Sequence, residues 1–223
     1  MAETNLRSER TRVRRHPARG RYDIAAVREV LDAGLVAHVA FVDGDRPFCI
    51  PMLQARSGDA VYIHGSSASR ALRVLAGGVP ACVTVTLLDG LVLARSAYEH
   101  SANYRAVVVL GSFRPVLDPD ERLAAFAAFT DKLIPGRWNE VRGPNSKELK
   151  ATTILALPIR EASVKVRTGP PSDDDSADAA LDVWAGVLPL RSVFGEPKPA
   201  PGLRPGIPLS QSARRLLECE GNA

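Results

Sequence analysis

Residues 80–111 read PACVTVTLLDGLVLARSAYEHSANYRAVVVLG. Cys82 to Thr86 alternate apolar and small polar residues, the period of a strand with one face on a core. Asp89-Gly90 is a turn dipeptide, and Leu91 to Ala94 begin the return strand of a hairpin. Residues 104–118, YRAVVVLGSFRPVLD, read as another strand pair or one long bent strand. Val83 to Thr86 and Val107 to Val109 are β-branched runs.

The chain upstream has the same character. Ile24 to Ala33 places apolar residues at 24, 27, 30 and 31, a helical spacing, with Gly34 as a natural residue after the helix end. LVAHVAFVDG (35–44) and DRPFCIPMLQARSGDAVYIHG (45–65) then give three strand candidates of a meander, separated at Asp43-Gly44 and Ser57-Gly58-Asp59. Ala68 to Ala76 reads as a helix stopped by Gly77-Gly78. Asp118-Pro-Asp-Glu121 opens a helix with an acidic cap and proline at its first position, running through ERLAAFAAFTDKL. SKELKAT (146–152) is a short helical piece and residues 153–167 a last strand region. Six or more short strands with few helices predict a mainly β fold, an antiparallel barrel that is closed or nearly so. A doubly wound parallel sheet is disfavoured, because helices do not alternate with strands.

A chain of 223 residues, 45% hydrophobic, supports one sizeable core with tails. No apolar run approaches the ~20 residues of a membrane helix. The arginine-rich N-terminus has no apolar h-region of a secretory signal. Cys49, Cys82 and Cys219 form no close pair, which speaks against a zinc site or disulfide framework and for a reduced cytoplasmic setting. The net charge of +4 is localised: residues 1–22 hold seven arginines against Glu3 and Glu9. The basic character therefore belongs to an arm over residues 1–21. It is read as a solvated tail packed on the domain, with nucleic acid as the lesser alternative, since no aromatic residue interleaves with the charges before Tyr22. The domain itself covers 22–195. Residues 168–180, TGPPSDDDSADAA, read as an acidic surface loop, and the proline- and glycine-rich stretch from Glu196 onward as an extended tail over 196–223.

Two constellations carry chemistry. VYIHGSSASRALR (61–73) is a strand-to-helix junction crowded with hydroxyls and cations. A helix start offers free N–H groups and partial positive charge. Gly65 allows close approach, Ser66, Ser67 and Ser69 can donate, and Arg70 can form charge-assisted bonds, so the stretch reads as a phosphate cradle. A plain serine cap with a solvated arginine explains it equally well. Walker and Rossmann signatures are absent, as are GxSxG and HExxH. The second constellation is His100, Asn103, Tyr104 and Arg105, a polar and aromatic cluster before an apolar strand. Trp184, in VWAGVLPL, is a third candidate, with core packing as its alternative. With no nucleophile or metal signature, chemistry here falls to a bound cofactor.

Residues 21–53, 61–75, 82–111, 165–175 and 183–190 together resemble the pyridoxamine 5′-phosphate oxidase-like family of flavin-binding split barrels, nearest its flavin-nucleotide-binding, nitroimidazole-resistance-like branch. The resemblance spans about residues 12 to 190. It implies a six-stranded antiparallel split barrel, dimeric, with FMN in clefts at the homodimer interface. Pro51, Met52 and Leu53 would lie beside the flavin ring, with His64 and Gly65 at the ring end of the next strand. Ser66, Ser69 and Arg70 would hold the phosphate. Asn103, Tyr104 and Arg105 would approach from the barrel edge, and Trp184 would close over the flavin. Cys49 and Gln54 stand where true pyridoxamine phosphate oxidases have an arginine and a lysine, so vitamin B6 oxidation is not implied. The implied activity is an FMN-dependent oxidoreductase passing electrons from a nicotinamide donor to a nitro compound or quinone, with His64 the candidate proton donor. The alternative is a binding module without turnover. Related barrels also bind heme or a deazaflavin, and His64 and His100 are the candidate axial ligands for heme.

Overall fold

A computed structural model describes residues 5–221; residues 1–4 of the arm and 222–223 of the tail lie outside the described residues. In chain order the elements are β1 (Gly20–Arg21), α1 (Ile24–Ala33), β2 (Val36–Asp43), β3 (Arg46–Ser57), β4 (Ala60–Ser66), α2 (Arg70–Ala76), β5 (Pro80–Leu93) and β6 (Ser101–Ser112). There follow β7 (Arg114–Pro115), α3 (Pro119–Leu133), α4 (Ser146–Ala151), β8 (Thr152–Pro158), β9 (Glu161–Arg167), β10 (Gly186–Pro189) and α5 (Gln211–Gly221).

All strand pairs are antiparallel, and the ladder runs β1-β9-β6-β5-β2-β3-β4-β8-β7, with β10 added to β5. There are thus ten strands among the described residues where six were expected; β1, β7 and β10 have only two to four residues each. β3 turns the corner: residues 46–53 pair with β2 and residues 54–57 with β4. β8 and β9 are consecutive in sequence but diverge, β8 to β4 and β9 to β6, and that divergence splits the barrel.

The opening stretch folds differently from its sequence reading. Asp89-Gly90 does not turn the chain; β5 runs through it with a register shift between Leu88 and Gly90 and pairs along its length with β6. Asp89 is held by Arg105 across the ladder at 2.8 and 3.0 Å. A Cβ on Gly90 would lie 3.0 Å from Leu188 O, so glycine here admits β10 instead of a turn. Gly34 departs likewise. Its φ is −90°, so no left-handed cap is formed; glycine is needed because a Cβ would fall 2.2 Å from Val85 Cγ1.

α1 plugs the barrel. Asp23 caps it by accepting from Ala26 N, and Val27, Val30 and Leu31 are buried against Ile63, Val83, Val107 and Leu157. Each such side chain contributes about 1.5–3 kcal/mol on leaving water. α3, capped by Asp118, covers the outside of β4 and β8, where Ala125 and Phe129 meet Tyr62, Ile154 and Ala156. The proline-rich segment has no helix or strand from 196 to 210 and turns at 201–202 and 205–206; it ends in the helix α5, whose Ser212 donates through N and Oγ to Glu140.

Candidate functional site: a histidine cavity beside an open strand face

Strand alternation on β4 sends Val61 and Ile63 into the main core and Tyr62 to the second core under α3. Tyr62 donates to Glu121, which also holds Arg114, so α3 is tied down over this face. His64 lies on the same side as Tyr62, with its ring centroid 4.2 Å from that of Phe129. Its Nδ1 is buried without a hydrogen-bond partner. Burial pushes its pKa below the usual histidine value, which keeps the ring neutral.

His64 opens into a cavity of about 400 Å³ whose walls include Leu53, Phe126, Phe129, Leu133 and Ile134, with two cations, Lys132 and Arg137. Lys132 Nζ donates to Leu31 O at 2.9 Å and to Asp32 O, the carbonyl end of α1. Its pKa is lowered, first by burial and then by Arg56, with Asp32 opposing. Gln54, fully buried, donates through Nε2 to Leu31 O and Gly34 O at 2.7 and 2.6 Å, and its Oε1 has no partner. These bonds fix the joint between α1, β3 and α3 from which the cavity is built.

The outer face of β3 adjoins this cavity through Leu53. Register places Leu53 opposite Val36 and Pro51 opposite His38. Leu53 and Val36 are both exposed, at 42% and 45%. Met52 instead turns inward onto the main core.

At the junction after β4, Ser66 Oγ accepts from Ala68 N and Ser69 Oγ caps α2 by accepting from Leu72 N. As acceptors there, both hydroxyls keep a proton to donate. Gly65 sits where a Cβ would come within 3.0 Å of Leu72, so glycine lets α2 pack close. Arg70 is exposed, 4.5 Å over the Phe48 ring and 3.7 Å from the Asp43 carboxylate.

The second constellation does not come together as one surface. Asn103 is buried, donating to Gly169 O and accepting from the guanidinium of Arg167. Tyr104 is half-buried. Arg105 pairs with Asp89 and stands 3.9 Å from Glu29. His100 is held by Ser96 O at 2.9 Å in an exposed loop, away from the cavity lining. Trp184 is 63% exposed and lies over Gly186. Among the described residues no cluster of His, Cys, Asp or Glu is arranged for a metal ion, and no helix is long and apolar enough to cross a membrane.

Fold and site together define a split β-barrel with a histidine-bearing apolar cavity that adjoins, through Leu53, an open strand face of β3. The chain belongs to the pyridoxamine 5′-phosphate oxidase family, whose sequence model matches residues 23–166. It is similar to the flavocytochrome Anf3 from Azotobacter vinelandii, with 42% identity, covering 94% of this chain and 97% of that one at a TM-score of 0.87. It is similar also to the FAD- and heme-binding protein from Mycobacterium smegmatis, with 41% identity, covering 89% and 97% at a TM-score of 0.84. A 5-nitroimidazole antibiotic resistance-type protein from Bacteroides thetaiotaomicron is 16% identical over 66% of this chain and 86% of that one, at a TM-score of 0.54, and shares the fold alone. No curated protein matches the chain in sequence.

Sequence reasoning missed α3 as a wall of the site. The signal was present: Phe126, Phe129 and Leu133 share one helical face. What that face packs against is a tertiary fact. Gln54 was noticed only as a departure from the oxidase pattern, and its role in holding the end of α1 had no local signature.

Proposed function

We propose that the protein is a flavin- and heme-binding electron-transfer protein, with heme in the His64 cavity and flavin on the β3 face. The single observation that carries the reading is the buried, unpartnered Nδ1 of a neutral histidine lining an apolar cavity. A structural histidine in a core is normally satisfied. His64 has no protein partner at Nδ1, and its ring borders the cavity. The residues fit heme: apolar walls for a macrocycle, a neutral imidazole for the iron, and at the rim Arg137, which also pairs with Glu140, for a carboxylate. The two relatives above 40% identity, a flavocytochrome and an FAD- and heme-binding protein, support the same pairing. The M. smegmatis relative, an FAD- and heme-binding protein, supports FAD over FMN as the flavin.

When bound, the flavin exchanges one or two electrons and the heme iron one. The chain's own contribution is positional. Leu53 is the wall common to the strand face and the cavity. Ser66, Ser69 and Arg70 bind flavin phosphate through the uncommitted hydroxyl protons and the exposed guanidinium. Gly65 lets α2 pack close behind them. Phe129 and α3 keep water from the His64 ring. Val36, Val42, Leu53, Leu88 and Leu91 are exposed apolar residues on β2, β3 and β5, and a second copy of the chain covers them, bringing Tyr104 and Trp184 toward the flavin. The unpaired Cys49, Cys82 and Cys219 suit the reducing cytoplasm.

The test is the absorption spectrum of the purified protein, with the released flavin identified by chromatography. A Soret band that His64→Ala abolishes, together with bound FAD, supports the reading. Protein that takes up neither heme nor flavin on reconstitution sinks it. Sedimentation equilibrium at monomer mass would remove the dimer.

A further inference from the structure

The basic N-terminal segment takes no part in either site, yet it is firmly held. Leu6 is buried, its N–H donating to Tyr22 O and its carbonyl accepting from Ala162 N. Ser8 and Arg10 bond Glu161 of β9, and Tyr22 OH accepts from Val13 N. Most of its arginines are engaged: Arg7 on the Tyr22 ring, Arg10 with Glu161, Arg12 and Arg14 with Glu9, Arg21 with Asp23. Three cations nearby are not. Among the described residues no acidic group pairs with Arg15, Arg19 or Lys165.

The backbone assembles these three. Lys165 stands opposite Gly20 in the β1–β9 ladder, directly after Arg19. Arg15 precedes a 3-10 turn over Pro17–Arg19 that is entered at His16 with φ +54°. Their convergence is felt at His16, whose pKa is held down by Arg19, then by slight desolvation, then by Arg15 and Lys165. β9 lies between β1 and β6, and Lys165 is opposite Ala106, two residues from Tyr104.

We infer that Arg15, Arg19 and Lys165 form a docking surface for a small acidic electron-carrier protein. The inference rests on the electron-transfer reading above and deepens it by naming the donor class. Transfer is balanced: the reduced carrier loses one electron, the bound cofactor gains one, and no bond is made or broken. Charge complementarity selects the partner. A fixed cationic patch steers an acidic protein to one edge of the barrel, beside the β6 segment that carries Tyr104. Nucleic acid is the less favoured occupant, since three cations on one strand edge track little backbone and the segment's aromatic, Tyr22, is already covered by Arg7.

The probe is flavodoxin, an acidic one-electron carrier, and the variant is R15E/R19E/K165E. Binding of oxidised flavodoxin is measured by calorimetry and needs no cofactor in this protein. The expected result is affinity weakened more than about tenfold by the variant. In cofactor-loaded protein, reduction by flavodoxin should slow about tenfold between ~20 and ~300 mM salt, and that slope should flatten in the variant. Reduction by dithionite should be equal in both. Equal flavodoxin affinity and equal salt response in the two proteins would overturn the inference. So would duplex DNA binding through these residues while flavodoxin does not bind. A colourless protein that still binds flavodoxin through the patch would refute the cofactor reading alone.

Discussion

Replacing His64 by leucine removes two contributions of opposite sign. In the apoprotein the buried Nδ1 has no partner. An unsatisfied buried polar group costs about 1–3 kcal/mol. Leucine retains apolar contact with Phe129 and carries no such cost, so the apoprotein gains stability in that range, or roughly 2–4 °C in Tm per kcal/mol. Heme binding is lost in the same variant. The pH dependence gives a second readout. Burial disfavours the imidazolium, so the unfolded chain binds more protons than the folded one below the ordinary histidine value of 6.5. Wild-type apoprotein therefore loses stability as pH falls below 6.5, and the variant lacks that component. Urea unfolding of both apoproteins from about pH 5 to pH 8, with a hemin titration followed at the Soret band, checks each part. A variant less stable than wild type, with the same pH slope and the same hemin affinity, would refute the reasoning: His64 would then be a satisfied structural residue.

Three further outcomes are expected. Arg70→Ala should weaken flavin binding by about 10- to 100-fold, the range of a lost charge-assisted phosphate contact, with little effect on folding because Arg70 is exposed; unchanged affinity would reassign the cradle. Gly34→Ala should lower stability by about 1–3 kcal/mol, because the added methyl meets Val85 inside the barrel, and an unchanged urea midpoint would show that the end of α1 moves freely. Glu140 has its pKa lowered from 4.5 to about 2, chiefly by Ser212. A depressed carboxylate stabilises docking above its unfolded value and loses that contribution as pH falls from 4.5 toward about 2. Limited proteolysis should therefore release the α5 segment in acid for wild type and at neutral pH for Ser212→Ala; equal resistance of the two at neutral pH would assign the docking to other contacts.

Much of the architecture was legible because it is written in local periods. The 2-residue alternation of β2 and β5, the spacing of Val27, Val30 and Leu31, and the Asp118-Pro119 helix start are each properties of a few neighbouring residues. Asp89-Gly90 misled for a physical reason. The dipeptide suits a turn, but a glycine also suits close approach of another strand, and which use prevails depends on β10, about 100 residues away. The helix in the C-terminal tail was hidden by the prolines before it.

The site divides in the same way. His64, Ser66, Ser69 and Arg70 stood out in sequence because strand, glycine and helix start are contiguous. The separation of His64 from the junction did not, since it depends on which side of β4 the ring faces and on α3 covering that side. The sequence alone determined the strand-rich fold, the hydroxyl-rich junction and the location of charge in the arm, because composition, period and capping are local. Only the tertiary structure decided that the histidine opens into an apolar cavity, that Gln54 and Lys132 pin the end of α1, and that the arm is fixed to β9. Those facts are contacts between residues far apart in the chain, and burial without a partner is a property no residue has until the fold surrounds it.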